Sequence, residues 1–150
     1  MKFAILPRMN TKRLVLAIAA VFAAVFATDV LIHGFWLNAT YKATMQLWRS
    51  EADMQSQMCW LIAGQFLTAL MFVLIWSQAA VRSLPRACAY GLCMALFQQA
   101  TTLITYAVQP IPGEIIFKWF ISGIAQGVLM GVILHLIYKP RPAAADKRLM

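Results

Sequence analysis

The chain has 150 residues, of which 62% are hydrophobic and 12% charged, with a formal net charge of +8. A soluble domain of this length buries only about two thirds of its surface and carries about twice that share of charge, so the composition excludes a water-exposed globule. The three cysteines form no Cys-x-x-Cys pair. No nucleotide-binding loop, zinc-protease helix or strained nucleophile turn is present, so the common thiol-redox and hydrolytic signatures are missing.

Four apolar runs follow one another, at about 14–36, 58–76, 87–108 and 115–138. Each is about long enough to cross a ~30 Å hydrocarbon layer at ~1.5 Å per residue. The first is preceded by Lys2, Arg8, Lys12 and Arg13. Basic residues before an apolar stretch, with Val25-Phe26-Ala27 as a small-residue cleavage site, also describe a signal peptide. Apolar sequence continuing through Val30, Leu31 and Ile32 to Phe35 and Trp36 favours a full span. Ala19, Ala23 and Ala27 form a strip of small residues suited to helix–helix contact. Asp29 lies seven residues before Trp36, hence ~10 Å inside the boundary, with His33 at i+4 on the same face.

Residues 37–57 are the longest polar stretch. Within them Leu37, Tyr41, Met45 and Trp48 recur at spacings of 4, 4 and 3, which predicts a short amphipathic helix continuing the first span along the headgroups. Ser50-Glu51-Ala52-Asp53 resembles a capping box and predicts that the second helix begins near Glu51. Gln65 and Thr68 then fall inside the second run. Ser83-Leu84-Pro85-Arg86 reverses the chain, with Pro85 suited to the first turn of the third helix. On that helix Gln98, Thr101, Thr102 and Thr105 share one face. Pro110-Ile111-Pro112-Gly113 makes the last reversal. The fourth run begins beside Lys118 and carries Gly123, Gly127 and Gly131, a ridge that lets another backbone approach closely. The tryptophans, and the tyrosines near helix ends, read as interfacial belts.

Ten of the thirteen basic residues fall on alternate connections and the two tails: Lys2, Arg8, Lys12, Arg13, Arg82, Arg86, Lys139, Arg141, Lys147 and Arg148. Four spans place all of these on one face, which the positive-inside rule makes cytoplasmic. The positive charge is thereby assigned to membrane orientation and headgroup contact, and nucleic acid is not an expected partner. The expected architecture is all-α: one integral membrane domain over 1–150, a four-helix bundle with cytoplasmic N- and C-termini and tails at 1–13 and 139–150.

Polar side chains within a bilayer turn from lipid toward the bundle interior. A polar pocket is therefore expected around Asp29, His33, Gln65, Thr102 and Lys118. It reads either as structural glue, with Asp29 paired to His33 or Lys118, or as a proton, ion or ligand site. Lys118 lies ~140° around its helix from Gly123, so an Asp29–Lys118 pair requires the glycine ridge to face a different neighbour. Lys118 is also close enough to the helix end to snorkel to the headgroups. His33, Met54, Met58 and Cys59 offer soft donors for a metal such as Cu(I), although methionine is a common apolar filler. No cofactor is expected.

Much of the chain from Asp29 onward resembles a group of small bacterial inner-membrane proteins read as four-helix chains. The resemblance is carried by His33-Gly34, Tyr41, Leu47-Trp48-Arg49-Ser50-Glu51-Ala52-Asp53-Met54 and Pro110-Ile111-Pro112-Gly113. Trp119, Gly123 and Ile137-Tyr138-Lys139-Pro140 add to it. The resemblance implies a bacterial inner-membrane location and no particular activity. The expected role is noncatalytic, an accessory or scaffold protein that forms a homodimer through helix 4 or joins another membrane protein. The alternative is a small proton-coupled transporter or ligand-binding protein using the pocket around Asp29.

Overall fold

The computed structural model describes residues 11–79, 81 and 83–138. Residues 1–10 and 139–150 and Arg82, which include most of the basic residues expected to orient the chain, lie outside that set. Four helical segments are long and apolar enough to cross a membrane, Thr11–Trp36, Met58–Gln78, Leu84–Val108 and Gly113–Ile137. They mark a multi-pass membrane protein. No strand occurs among the described residues. The apolar exterior follows from lipid being the solvent: Trp60, Phe97 and Val108 are each more than 70% exposed, which water would penalise.

In chain order the helices are α1 (Thr11–Asp29), α2 (Asn38–Ala43), α3 (Glu51–Ser56), α4 (Met58–Gln78), α5 (Leu84–Val108) and α6 (Gly113–Ile137). A π-helical segment, Val30–Trp36, joins α1 to α2. Tight packing runs from α4 to α1, from α1 to α6 and from α6 to α5. One end of the bundle gathers the start of α1, the end of α6 and the α4–α5 connection (the terminal end). The opposite end is covered by residues 37–57 and the α5–α6 turn (the cap end).

The glycine ridge of α6 faces α5 of the same chain. A Cβ at Gly127 would sit 2.5 Å from the Ala95 Cβ, and one at Gly131 would sit 2.3 Å from the Ala87 carbonyl oxygen. From the other side, a Cβ at Gly91 would lie 2.3 Å from the Gly127 carbonyl oxygen. The two backbones are thus as close as missing side chains permit. Any homodimer built on this helix must use another of its faces.

The alanine strip of α1 behaves differently from its expectation. Ala19, Ala23 and Ala27 are exposed, whereas Leu14, Ala17, Val21 and Val25 are buried. At ~100° per residue Val25 and Val21 lie within about 80° of Asp29, while Ala23 is about 120° away. Turning Asp29 inward therefore turns Ala23 and Ala27 outward; Ala19, about 80° from Asp29 on the side opposite Val21, is exposed as well.

The apolar core fills the terminal half of the bundle: Leu14, Ala17, Val21, Ala69, Phe72, Val73, Trp76, Ala87, Met130 and Leu134. Trp76 is buried there, edge-on to Tyr90, and is not part of an interfacial belt. The Tyr90 hydroxyl donates to the Phe72 carbonyl, fastening α5 to α4. Arg13 Nη1 donates to the Ile137 carbonyl at 3.2 Å. It satisfies an orphan acceptor in the last turn of α6, where positive charge also suits the helix dipole.

The turns form where the sequence places them. Pro85 occupies the first turn of α5, and α6 starts at Gly113 directly after Pro112. Ser50 Oγ accepts from the Asp53 backbone N–H at 3.2 Å, capping α3. A break at Gln57 then separates α3 from α4. Residues 37–47 do not make one continuous amphipathic helix. They fold as α2 followed by a 3-10 turn, Met45–Leu47. Of their apolar stripe, Leu37 is fully buried and Tyr41 and Trp48 pack on Ile111, Ile115 and Ile116, while Met45 is exposed. The segment is held by the outset of α6 rather than lying free along the surface.

Candidate functional site: a polar cavity around Asp29

Above the apolar core each long helix contributes one carboxylate or carboxamide: Asp29 from α1, Gln65 from α4, Gln99 from α5 and Gln126 from α6. Gln65 Nε2 donates to Asp29 Oδ2 at 2.6 Å, and Gln126 Nε2 donates to Asp29 Oδ1 at 2.8 Å. The second Gln126 proton goes to Thr28 Oγ1 at 2.6 Å, since Thr28 spends its own on the Ala24 and Val25 carbonyls. Each carboxylate oxygen is thus held by a neutral amide. Among the described residues no ion pair involves Asp29.

On the cap side of this layer lies a cavity of about 200 Å³, lined by Asp29, Ile32, His33, Gln99, Thr102, Trp119, Ser122, Gly123 and Gln126. It has room for several waters. Gly123 makes room for the Gln99 side chain, because a Cβ there would fall within 2 Å of the Gln99 amide nitrogen.

The π-helical segment aims the cavity wall. Its widened turn is closed by the Leu37 N–H donating to the Ile32 carbonyl, an i to i−5 bond. Such insertions are frequent at functional positions because they re-phase the side chains that follow. Here Ile32 and His33 both face the cavity.

His33 Nδ1 lies 2.6 Å from the Tyr41 hydroxyl, and Trp119 Nε1 donates to the same hydroxyl at 2.7 Å. An indole nitrogen can only donate, so the Tyr41 oxygen accepts from Trp119, and the tautomer of His33 sets the direction of its bond to Tyr41. Burial pushes the Tyr41 phenol up from its ordinary range, so it keeps its proton at any physiological pH. Trp48 packs edge-on to Tyr41 at 5.2 Å, and its indole donates to Thr44 Oγ1. Tyr41, Trp48 and Trp119 therefore form one aromatic cluster, of which Trp119 lines the cavity. Tyr41→Phe removes both polar contacts of the Tyr41 hydroxyl. We expect it to cost about 1–2 kcal/mol, read as a lower melting temperature of the purified protein with its helical content unchanged.

The structure brings Asp29, His33 and Thr102 to one cavity and sets Gln65 directly against Asp29. Lys118 is elsewhere. Its ammonium bonds Glu114 at 2.6 Å and Thr40 at 3.3 Å, and stands 5.7 Å from the Trp36 ring centroid. Lys118 lies in the second turn of α6, at the cap end, and with the glycine ridge facing α5 it meets Thr40 and Glu114. Thr101 and Thr105 return their hydroxyls to carbonyls of their own helix, leaving Thr102 as the cavity member of that polar face. Gln99, Gln126, Thr28 and Ser122 belong to the site without having been singled out by sequence. Gln126 carried the same signal as Gln65, a lone carboxamide within an apolar run.

The soft-donor group is divided. Met54 and Met58 line a separate groove with Arg49, Glu51, Gln55, Gln57 and Leu61, whereas His33 lines the Asp29 cavity. No cluster of three His, Cys, Asp or Glu side chains suited to a metal ion occurs among the described residues. No family model, curated protein or solved structure matches this chain, and its site is therefore defined by its own geometry.

Proposed function

We propose that this chain is a small transport or ligand-binding protein of the bacterial inner membrane, loaded through the cavity around Asp29. Both termini are cytoplasmic and the cap end faces outward, supported by the ten basic residues that sequence places on the terminal side. The observation that carries the functional reading is the state of Asp29. A carboxylate within the hydrocarbon layer costs several kcal/mol unless it is paired, hydrated or protonated. This one is given two amide donors, no cation among the described residues, and a cavity large enough for water or a solute. Structural glue needs the hydrogen bonds and has no use for the space. The proposal assigns no catalytic step and no cofactor, and its partners are the lipid bilayer and the solute.

The accessory reading retains one support of its own. Residues 58–64 of α4 are exposed throughout, and nothing lies within 4 Å of a Cβ placed at Gly64. A second copy or another membrane protein would find room there. Proteoliposomes separate the two readings. Under an imposed pH gradient, vesicles holding the parent chain should carry protons faster than vesicles holding equal amounts of folded Asp29→Asn. Equal rates, together with one stoichiometric protein co-purifying with the chain, would replace transport by scaffolding.

A further inference from the structure

We infer that the groove at the start of α4 is a seat for one phospholipid whose headgroup carries both a phosphate and a primary ammonium. The groove shares no residue with the Asp29 cavity. It measures about 400 Å³ and is lined by Arg49 and Glu51, by Met54 of α3, and by Met58 and Leu61 of α4. That volume falls in the range of about 300–1,000 Å³ usual for small-molecule sites. α4 is one of the four membrane-crossing helices and begins at Met58. Arg49 and Glu51, on the cap that precedes it, therefore stand at headgroup level. Leu61 lies about 4.5 Å further along the helix, at ~1.5 Å per residue. One end of the lining meets headgroups and the other meets acyl chains.

The charges of the lining select the headgroup. Arg49 and Glu51 are both exposed, and among the described residues neither enters an ion pair, with the other or with any further group. The groove thus presents one cation and one anion, each unanswered. The guanidinium fork of arginine matches two oxygens of a phosphate. The Glu51 carboxylate accepts N–H bonds from a primary ammonium, whereas a quaternary ammonium has no N–H to give. An anionic headgroup would satisfy Arg49 and bring like charge toward Glu51. The Gln55 and Gln57 carboxamides in the same lining carry no charge and favour no headgroup. Below them, Met54, Met58 and Leu61 are exposed, and methionine adapts its shape to an irregular apolar neighbour. An α-helix is about 10 Å across and would lie over the groove, while an acyl chain is thin enough to lie within it.

The test is native mass spectrometry of the full chain, titrated in detergent with phosphatidylethanolamine, phosphatidylcholine and phosphatidylglycerol of identical acyl chains. The parent should retain one phosphatidylethanolamine about fivefold more tightly than either of the others, the upper end of what an exposed ion pair contributes. Glu51→Gln should lower phosphatidylethanolamine to the level of phosphatidylcholine and leave phosphatidylcholine unchanged. Arg49→Gln should weaken both by about fivefold. Comparing the three lipids on the parent protein needs no variant to fold. Equal retention of phosphatidylethanolamine and phosphatidylcholine would overturn the recognition of the amine. Tighter phosphatidylglycerol would overturn it in favour of an anionic lipid. Selectivity that survives both substitutions would move the lipid to another surface and overturn the site. A chain that retains no lipid, as a monomer or as a dimer, would overturn it too, and the dimer would give the groove to a second copy. None of these results bears on the reading of the Asp29 cavity.

Discussion

Gly91→Leu and Gly131→Leu proteins should fail to accumulate as folded monomers, whereas Gly64→Leu should accumulate like the parent. The difference is written in what each new side chain meets. At Gly91 and Gly131 the first added carbon falls 2.3 Å from a backbone carbonyl oxygen of the facing helix, while at Gly64 nothing lies within 4 Å. Backbone cannot rotate away as a side chain can. The α5–α6 pair must separate along its length, and it is the most extensively packed pair in the protein. Overpacking a tight interior costs about 1–3 kcal/mol for a few methylenes, and a leucine adds a branched side chain to a gap that cannot hold one methyl. Alanine at Gly127 meets the same obstacle, because the Ala95 Cβ at 2.5 Å is fixed to its backbone and the Gly91 carbonyl oxygen lies at 2.8 Å. Fluorescence-detected size exclusion, with melting temperatures across the alanine and leucine pairs, reads the series. Equal folded yields for Gly64→Leu and Gly131→Leu would mean that α5 and α6 are not packed through these glycines.

The same ridge shows what the sequence makes legible. Span existence follows from apolar length, because lipid selects for it residue by residue. Turn positions follow from Pro85, Pro112 and the Ser50 cap, whose effects are local. Spacing alone does not reveal which small-residue strip meets a neighbour. Gly123, Gly127 and Gly131 are used and Ala19, Ala23 and Ala27 are not, and the inward turn of Asp29 accounts for Ala23 and Ala27. The site was legible as a set of expensive polar groups in apolar runs, and Asp29, His33, Gln65 and Thr102 carried that cost visibly. Lys118 shared the cost but had a cheaper solution in Glu114, four residues away at the helix end. The π-helical turn had no comparable sequence signature. Gly34 and a β-branched Ile32 flank His33, but the extra residue in the turn is a tertiary compromise that sets His33 beside Tyr41.

The second large effect concerns who can reach the cavity. Replace Cys59, Cys88 and Cys93, then introduce Thr102→Cys. The new thiol sits in a wall whose other members are Asp29, Gln99 and Gln126. A cavity that communicates with water should let a charged, membrane-impermeant thiol reagent modify it within minutes. Val21→Cys, in the apolar core and fully buried, should stay unmodified under the same treatment. The contrast is close to all-or-none, because the thiolate that reacts forms only where water reaches it. Both residues lie on membrane-spanning helices, so depth in the sequence does not separate them; the polar layer of the four helices does.

Applied from outside intact cells, that labelling decides whether these 150 residues hold a water-filled recess on their outer side. Rapid modification at position 102, absent at position 21, is what a loading site in the outer half requires. A thiol at 102 that stays silent until the membrane is opened from the cytoplasmic side would reverse the orientation. Silence under every condition would reduce Asp29 and its carboxamides to mortar between helices.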